Sequence, residues 1–317
     1  AGGTMVPALP PNFGFSAGFG GSAPSLKLID TYPMWKTGRY PVTGYQGVND
    51  MSKPIIDPQS GYVAEGFTDN YKQYVDPIYP EWRPTIKAHN SCIGRDPRYY
   101  ANVVPNGFYW PHQAQNKKFT CYNSTEATSP WSASGNCIRV GYAWRRAYPA
   151  GFWFDSSTTY TPLQNIKWIY PAFRMAEIYL NYAEACNEKP QRDEASALEY
   201  LNKVRNRAGL NNIEEAYPEI KGNKELLRWC IQRERMVELT FESHRHYDAC
   251  RWMIAKEEYP GPWYTLACDA TTYEESYARK TGLIANADNV FRDKDYLCPI
   301  YSGTLAEMTN MTQNLGF

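Results

Sequence analysis

The chain has 317 residues, and its 33 lysines and arginines are matched by 33 aspartates and glutamates. That balance provides no global field for nucleic acid or anionic lipid, and no uninterrupted apolar run approaches the roughly 18 residues of a membrane-spanning helix. The length allows one large domain or two small ones with a substantial core. With 26 Tyr and 10 Trp and a mean hydropathy of -0.59, the chain is aromatic-rich yet hydrophilic. Such chains place rings at surfaces as well as in cores.

Residues 1–23 are mostly Gly, Ala, Pro and Phe, an extended or flexible lead-in. Their beginning has neither the basic start nor the apolar run of a secretion signal. Residues 24–168 carry frequent Pro and Gly and short alternating runs such as Tyr99–Val104, which predicts loops and short strands. The character changes at residue 169. From Arg174, polar residues recur as Glu177, Asn181, Glu184 and Glu188, one narrow wet stripe on an otherwise apolar helix. A helix so apolar must pack on more than one side. Pro190 ends it, and Asp193 caps a second helix that buries Ala197, Leu201, Val204 and Ala208 before Gly209 stops it. Arg174–Glu188 and Asp193–Ala208 are therefore expected to form an antiparallel, tetratricopeptide-like hairpin, a unit that needs neighbouring repeats. A third helix starts near Lys224, with a bend near Ser243. The helical region is taken as 169–257, and 258–317 as an irregular segment packing back on the helices.

Little in the chain suggests catalysis. Glu234, Glu238 and Glu242 share a helix face with His246 one turn beyond, but the Glu-x-x-His pairs of a di-iron site are absent. Arg233, Arg235 and Arg245 interleave with them, which predicts an ion-pair network and no metal. There is no Gly-x-Ser-x-Gly around a nucleophile, no phosphate loop and no Cys-x-x-Cys, so no catalytic residue, metal or cofactor is assigned. Cys186, Cys230 and Cys250 read as buried thiols, while Cys121 and Cys137 flank a Ser/Thr/Asn-rich stretch that a disulfide could close. Carboxylates are numerous enough that a glycan-cleaving pair stays open as the alternative of another class.

Binding is the better expectation, and the loop region is its place. Trp35, Tyr40, Tyr45, Tyr62, Tyr71, Tyr74, Tyr79 and Trp82 lie among Asn49, Asp50, Asp69, Asn70 and Gln73. Sugar rings stack their C–H faces on aromatic planes while amides and carboxylates take the hydroxyls, and loops on a rigid scaffold collect such residues. The ligand-binding set assigned is Trp35, Tyr71, Tyr74, Tyr79, Trp82, Asp69, Asn70 and Gln73, against the alternative that individual rings simply pack. Phe108, Tyr109, Trp110 and Trp131 form a second candidate cluster.

Three runs add a family resemblance: Tyr170–Ala185, Leu201–Leu210 and Arg233–Arg245. Pro24–Met34 resembles a PTxxLVDAYxM stretch, Arg95–Val104 an RDPRFYATV run, and Tyr296–Ile300 with Gln313–Phe317 an LxPIP…QNPGY ending. In this order they resemble the C-terminal half of SusD/RagB-type outer-membrane lipoproteins of Bacteroidota. Ser243 stands where the family usually has Gly, Tyr301 where Pro is common, and Leu315 where Pro precedes the last Gly. The resemblance implies a mainly α, SusD-like fold with an irregular loop region. It also implies non-catalytic capture of oligosaccharides, or alternatively peptides, at the cell surface. The implied partner is a SusC-like TonB-dependent transporter, and the lipid anchor would belong to an N-terminal half missing from this chain.

Overall fold

The computed structural model describes residues 23–47, 50–69, 87–108, 119–124, 127, 140–146, 172–283, 288–308 and 310–317. It opens with helix α1 (Leu26–Thr31), whose first turn is capped by the Ser25 hydroxyl accepting from the Leu28 amide. Antiparallel strands β1 (Val42–Gln46) and β2 (Asp50–Ile56) follow, paired from Val42 opposite Ile56 to Gln46 opposite Asp50 with register shifts between Val42 and Gly44 and between Tyr45 and Gln46. Strands β3 (Phe67–Thr68) and β4 (Ala88–His89) form a second short pair. Helix α2 (Pro97–Asn102) begins on Asp96, whose carboxylate accepts from the Arg98 amide at 2.8 Å, with Pro97 in the first helical position. It runs into β5 (Val103–Pro105), which pairs with β6 (Tyr142–Trp144).

The helical part starts with α3 (Met175–Glu188) and α4 (Glu194–Arg207). Asp193 caps α4 by accepting from Ser196, and Gly209 just beyond its end has a φ of +82°. This is the stop that a Cβ would oppose. Then come α5 (Ile213–Ala216), α6 (Lys224–Glu238, capped by Asn223), α7 (His244–Arg251) and α8 (Ala255–Glu258). Strands β7 (Pro260–Pro262), β8 (Thr265–Leu266), β9 (Arg279–Lys280) and β10 (Asp288–Val290) pair antiparallel as β7 with β10 and β8 with β9. Helix α9 (Ser302–Glu307) lies near the end. The chain is thus mainly helical with short two-stranded sheets and irregular loops, the expected class.

Among the described residues two cores hold the chain together. Leu180, Ala183 and Cys186 of α3 meet Ala197, Leu201 and Val204 of α4, with Leu227, Cys230 and Ile231 of α6 closing the third side. The small Ala183 and Ala197 are fully buried and let the hairpin close. The second core collects Leu26 and Ile29 of α1, Tyr99 and Tyr100 of α2, Val103, Phe108 and Phe119, and later Leu266, Tyr273 and Tyr277. Val237 of α6 belongs to it as well, so α6 serves both cores from its two ends.

The polar stripe of α3 is not the free wet edge that its spacing suggested. Glu184 accepts from Arg251 and Trp252 at 2.7 Å, and Glu188 from Arg228 at 2.8 Å. Asn181 accepts from Arg235, Arg174 reaches Glu242, and Glu177 lies 3.7 Å from His244. Periodicity marks a polar face, but it cannot say whether water or arginine meets it. The exposed arc of α3 is largely apolar instead, with Asn181 the stripe residue that stays exposed in it: Phe173 just before it (79% exposed), Met175 (58%), Ile178 and Tyr182.

Leu201→Ala should cost about 2–5 kcal/mol by urea unfolding, because it opens a cavity where three helices meet. Met175→Gln on the exposed arc should change stability by less than about 0.5 kcal/mol. Equal losses would show that this arc is part of the core.

Candidate functional site

The three carboxylates spaced four apart at the end of α6 are satisfied by arginines, but not by the arginines beside them in sequence. Glu234 accepts from Arg98 at 2.6 Å, from Arg205 at 3.3 Å and from the Tyr40 hydroxyl at 2.8 Å. Glu238 accepts from Arg98 at 2.8 Å and also binds Arg174 and Arg207. Glu242 binds Arg174 and Arg146. Arg98 is anchored in turn by Asp96 at 2.6 Å. The expected neighbours are engaged elsewhere: Arg235 forks onto Asp248 at 2.9 and 3.0 Å, Arg245 binds Glu258, and Arg233 lies 4.1 Å over the Trp229 ring. Local i,i+3 and i,i+4 spacing lost to arginines brought in by tertiary packing. Burial opposes the charge on Glu238, but Arg98 and Arg174 outweigh it and hold its carboxyl down at about 2. Among the described residues no group of His, Cys, Asp and Glu is arranged to hold a metal.

The predicted loop site is only partly in view. Trp35 is 47% exposed, with its indole N–H donating to the Gly209 carbonyl at 3.3 Å, and Asp69 is exposed. Asn70, Tyr71, Gln73, Tyr74, Tyr79 and Trp82 lie outside the described residues, as do Asn49, Tyr109, Trp110 and Trp131. Several neighbouring rings belong to the core. Tyr40 is fully buried on Glu234, Tyr62 lies under Arg95 with 5.1 Å from guanidinium to ring, and Phe108 is buried in the second core. Asp50 accepts from the Tyr264 hydroxyl at 3.2 Å, and Tyr45 donates to Asp30 at 2.9 Å. Of the three cysteines expected as buried thiols, Cys186 and Cys230 are buried but Cys250 is only half-buried, and burial pushes Cys230 up to about 12. Cys137 lies outside the described residues.

The structure adds a cleft that the sequence did not single out. It measures about 680 Å³ and lies between α1, the turn from α6 to α7, and the strand after α8. The turn is backbone-driven: Phe241 and Ser243 have φ of +61° and +63°, the left-handed region. Ser243 is the position where the resembled family carries Gly, and the left-handed backbone is the physical reason for one. Phe241 packs on Trp144 with ring centroids 5.1 Å apart, while Tyr247 and Trp263 present partly open rings. Deeper in, Glu258 is shared by Lys27 at 3.2 Å and Arg245 at 2.7 Å. Trp35 and Asp69 do not line this cleft. The one sequence signal for it was the Gly-to-Ser departure.

A mainly α-helical scaffold with an aromatic-lined cleft and an arginine-clamped helix end is the fold class defined here. The chain belongs to the SusD family, whose model matches residues 4–317. Among solved structures it is similar to the protein designated BT4246 (21% identity, TM-score 0.66, covering 95% of this chain and 47% of that one). It is also similar to a SusD-like protein, BF3747, of Bacteroides fragilis (23%, 0.61, 96% and 49%). A third is a SusD-like carbohydrate-binding protein, BF0978, of the same species (21%, 0.53, 87% and 45%). The chain therefore spans about half the length of the structures it resembles. No curated protein matches it.

Arg98→Ala should cost about 3–5 kcal/mol, because Glu234 and Glu238 would keep their burial and lose their shared cation. Arg207→Ala, whose side chain is 60% exposed, should cost less than about 1 kcal/mol. The depressed Glu238 carboxyl contributes stability that is whole above its unfolded value of 4.5 and drains away as pH falls toward 2. The melting temperature should fall across that window, and Glu238→Gln should flatten the fall. Ser243→Gly should raise stability by about 1–2 kcal/mol, since it relieves a left-handed φ and removes no capping bond.

Proposed function

We propose that the protein captures oligosaccharides at the cell surface without cleaving them and passes them to a TonB-dependent transporter of the outer membrane. Membership of the SusD family over residues 4–317 carries this reading. Similarity to a SusD-like carbohydrate-binding protein supports it. In a whole protein of this kind the lipid anchor would sit on the N-terminal portion, which would be this chain's structural companion. The transporter, SusC-like, would be its partner. Among the described residues no helix is long and apolar enough to cross a membrane.

The glycosidase alternative needs two carboxyls facing each other across a cleft, one of them able to hold a proton. The carboxylates lining the cleft are Asp248 and Glu258, and both are bound by arginine. Burial would raise Glu258, but Arg245 and Lys27 outweigh it and keep its carboxyl below the usual range, which is the wrong direction for a general acid. Capture is the better fit.

Trp35, Asp69, Asn70, Tyr71, Gln73, Tyr74, Tyr79 and Trp82 are proposed as ligand contacts. Exposed stacking rings add affinity but little core energy. Trp35→Ala, Tyr71→Ala, Tyr74→Ala and Trp82→Ala should therefore include at least one variant that weakens oligosaccharide binding with an unchanged melting temperature. A glycan and peptide array finds the ligand, and calorimetry reads the variants. Capture of peptides alone would overturn the sugar reading. Four variants that bind like the parent would move the site away from this loop.

A further inference from the structure

The cleft beside α7 has an unequal charge account. Arg235 is committed to Asp248, which Arg251 also binds. Glu258 is likewise one carboxylate held by two cations, Lys27 and Arg245, but whereas Arg251 also binds Glu184, among the described residues neither of these has a second carboxylate, and each keeps about a quarter of its side chain exposed (25% and 24%). Burial lowers the Lys27 amine below its ordinary range; Glu258 only partly offsets this, and the charges of Arg245 and Arg233 add to it. The imidazoles of His244 and His246 line the same space. Two open rings line the same cleft: Tyr247 is 72% exposed and Trp263 37%. The α7 helix starts here without a side-chain cap on its first amides, which adds to the positive potential but is secondary to the two cations.

We propose that this cleft holds an acidic sugar residue of an oligosaccharide, its carboxylate or sulfate ester between Lys27 and Arg245 and its ring face against Tyr247 or Trp263. The proposal rests on the carbohydrate-binding reading above and adds a ligand class to it. A neutral sugar would gain the stacking but leave the surplus cation in a partly desolvated cleft. An anion supplies the missing counter-charge, and cations whose side chains stay partly open can still turn toward it.

Calorimetry on the protein with tetragalacturonate, a sulfated chondroitin tetrasaccharide, neutral xylotetraose and hexaglutamate tests it. At least one acidic saccharide should bind about tenfold or more tighter than xylotetraose, and its affinity should fall as salt rises from about 0.05 M to about 0.3 M. The two acidic probes distinguish carboxylate from sulfate. Lys27→Gln should weaken the acidic ligand about tenfold, and Tyr247→Ala, whose open ring contributes nothing to a core, should weaken it severalfold. Glu258→Gln removes the competing carboxylate and should leave that affinity equal or tighter, which a variant that merely damaged the fold would not do. If xylotetraose binds as well as the acidic probes and these variants leave affinity unmoved, the inference is overturned while sugar capture stands. If no saccharide binds, both fail, and binding of hexaglutamate alone would make the cleft a site for acidic peptide.

Discussion

Everything in this fold depends on where Arg98 points. Its guanidinium leaves the first turn of α2, is aimed by Asp96 at 2.6 Å, and ends on Glu234 and Glu238 of α6. Arg205 of α4 and Tyr40 of the loop region converge on the same Glu234. One helix end thereby ties the loop region to the helical hairpin through bonds that neither core could replace by packing. Charges buried this deeply are costly, and they persist only because every carboxylate has its donors. Such a network is worth less as stability than as specification: the register of α2 against α6 cannot slip without stranding a charge.

The same logic recurs in smaller form. Arg95 is fully buried and turns its two Nη groups onto backbone carbonyls of Ile29, Tyr32 and Ser91, between the Tyr62 and Tyr99 rings. Arg279 forks onto Asp30 at 2.6 Å, where Tyr45 also donates. Short strands and irregular loops have few ladder bonds to fix them. Planar guanidiniums that reach several acceptors at once do that work, and arginine suits it better than lysine because its fork is rigid. A loop-rich region can then keep a defined shape on little regular structure.

How much of this was legible in the sequence depended on the range of the interaction. The hairpin, the Asp193 cap and the Gly209 stop were legible because each follows from residues within a turn or two of each other. The partners of Glu234, Glu238 and Glu242 were not, because Arg98 lies 136 residues from Glu234 and no local pattern encodes that approach. The loop aromatics were ambiguous for a related reason. Tyr40, Tyr62 and Phe108 look like Trp35 in a stretch without periodicity, yet the first three are core and Trp35 is open. Irregular backbone has no face to read, so burial there is decided only when distant segments close over it.

The turn after α6 shows how this scaffold leaves a cleft open. A helix ending in a clamped carboxylate cannot drift, so a change of direction just beyond it has to be absorbed by the backbone. Phe241 and Ser243 absorb it in left-handed conformations that side chains disfavour. That strain is tolerated because Glu238 and Glu242 are fixed on one side of it, while Arg245 is fixed by Glu258 on the other. The redirected chain lines one cleft with Tyr247, Lys27 and Arg245 and leaves a gap between α1 and α7 that neither core fills. The cleft is therefore a product of the ion network: rigid anchors on both sides of a strained turn hold open a space that hydrophobic collapse would otherwise close.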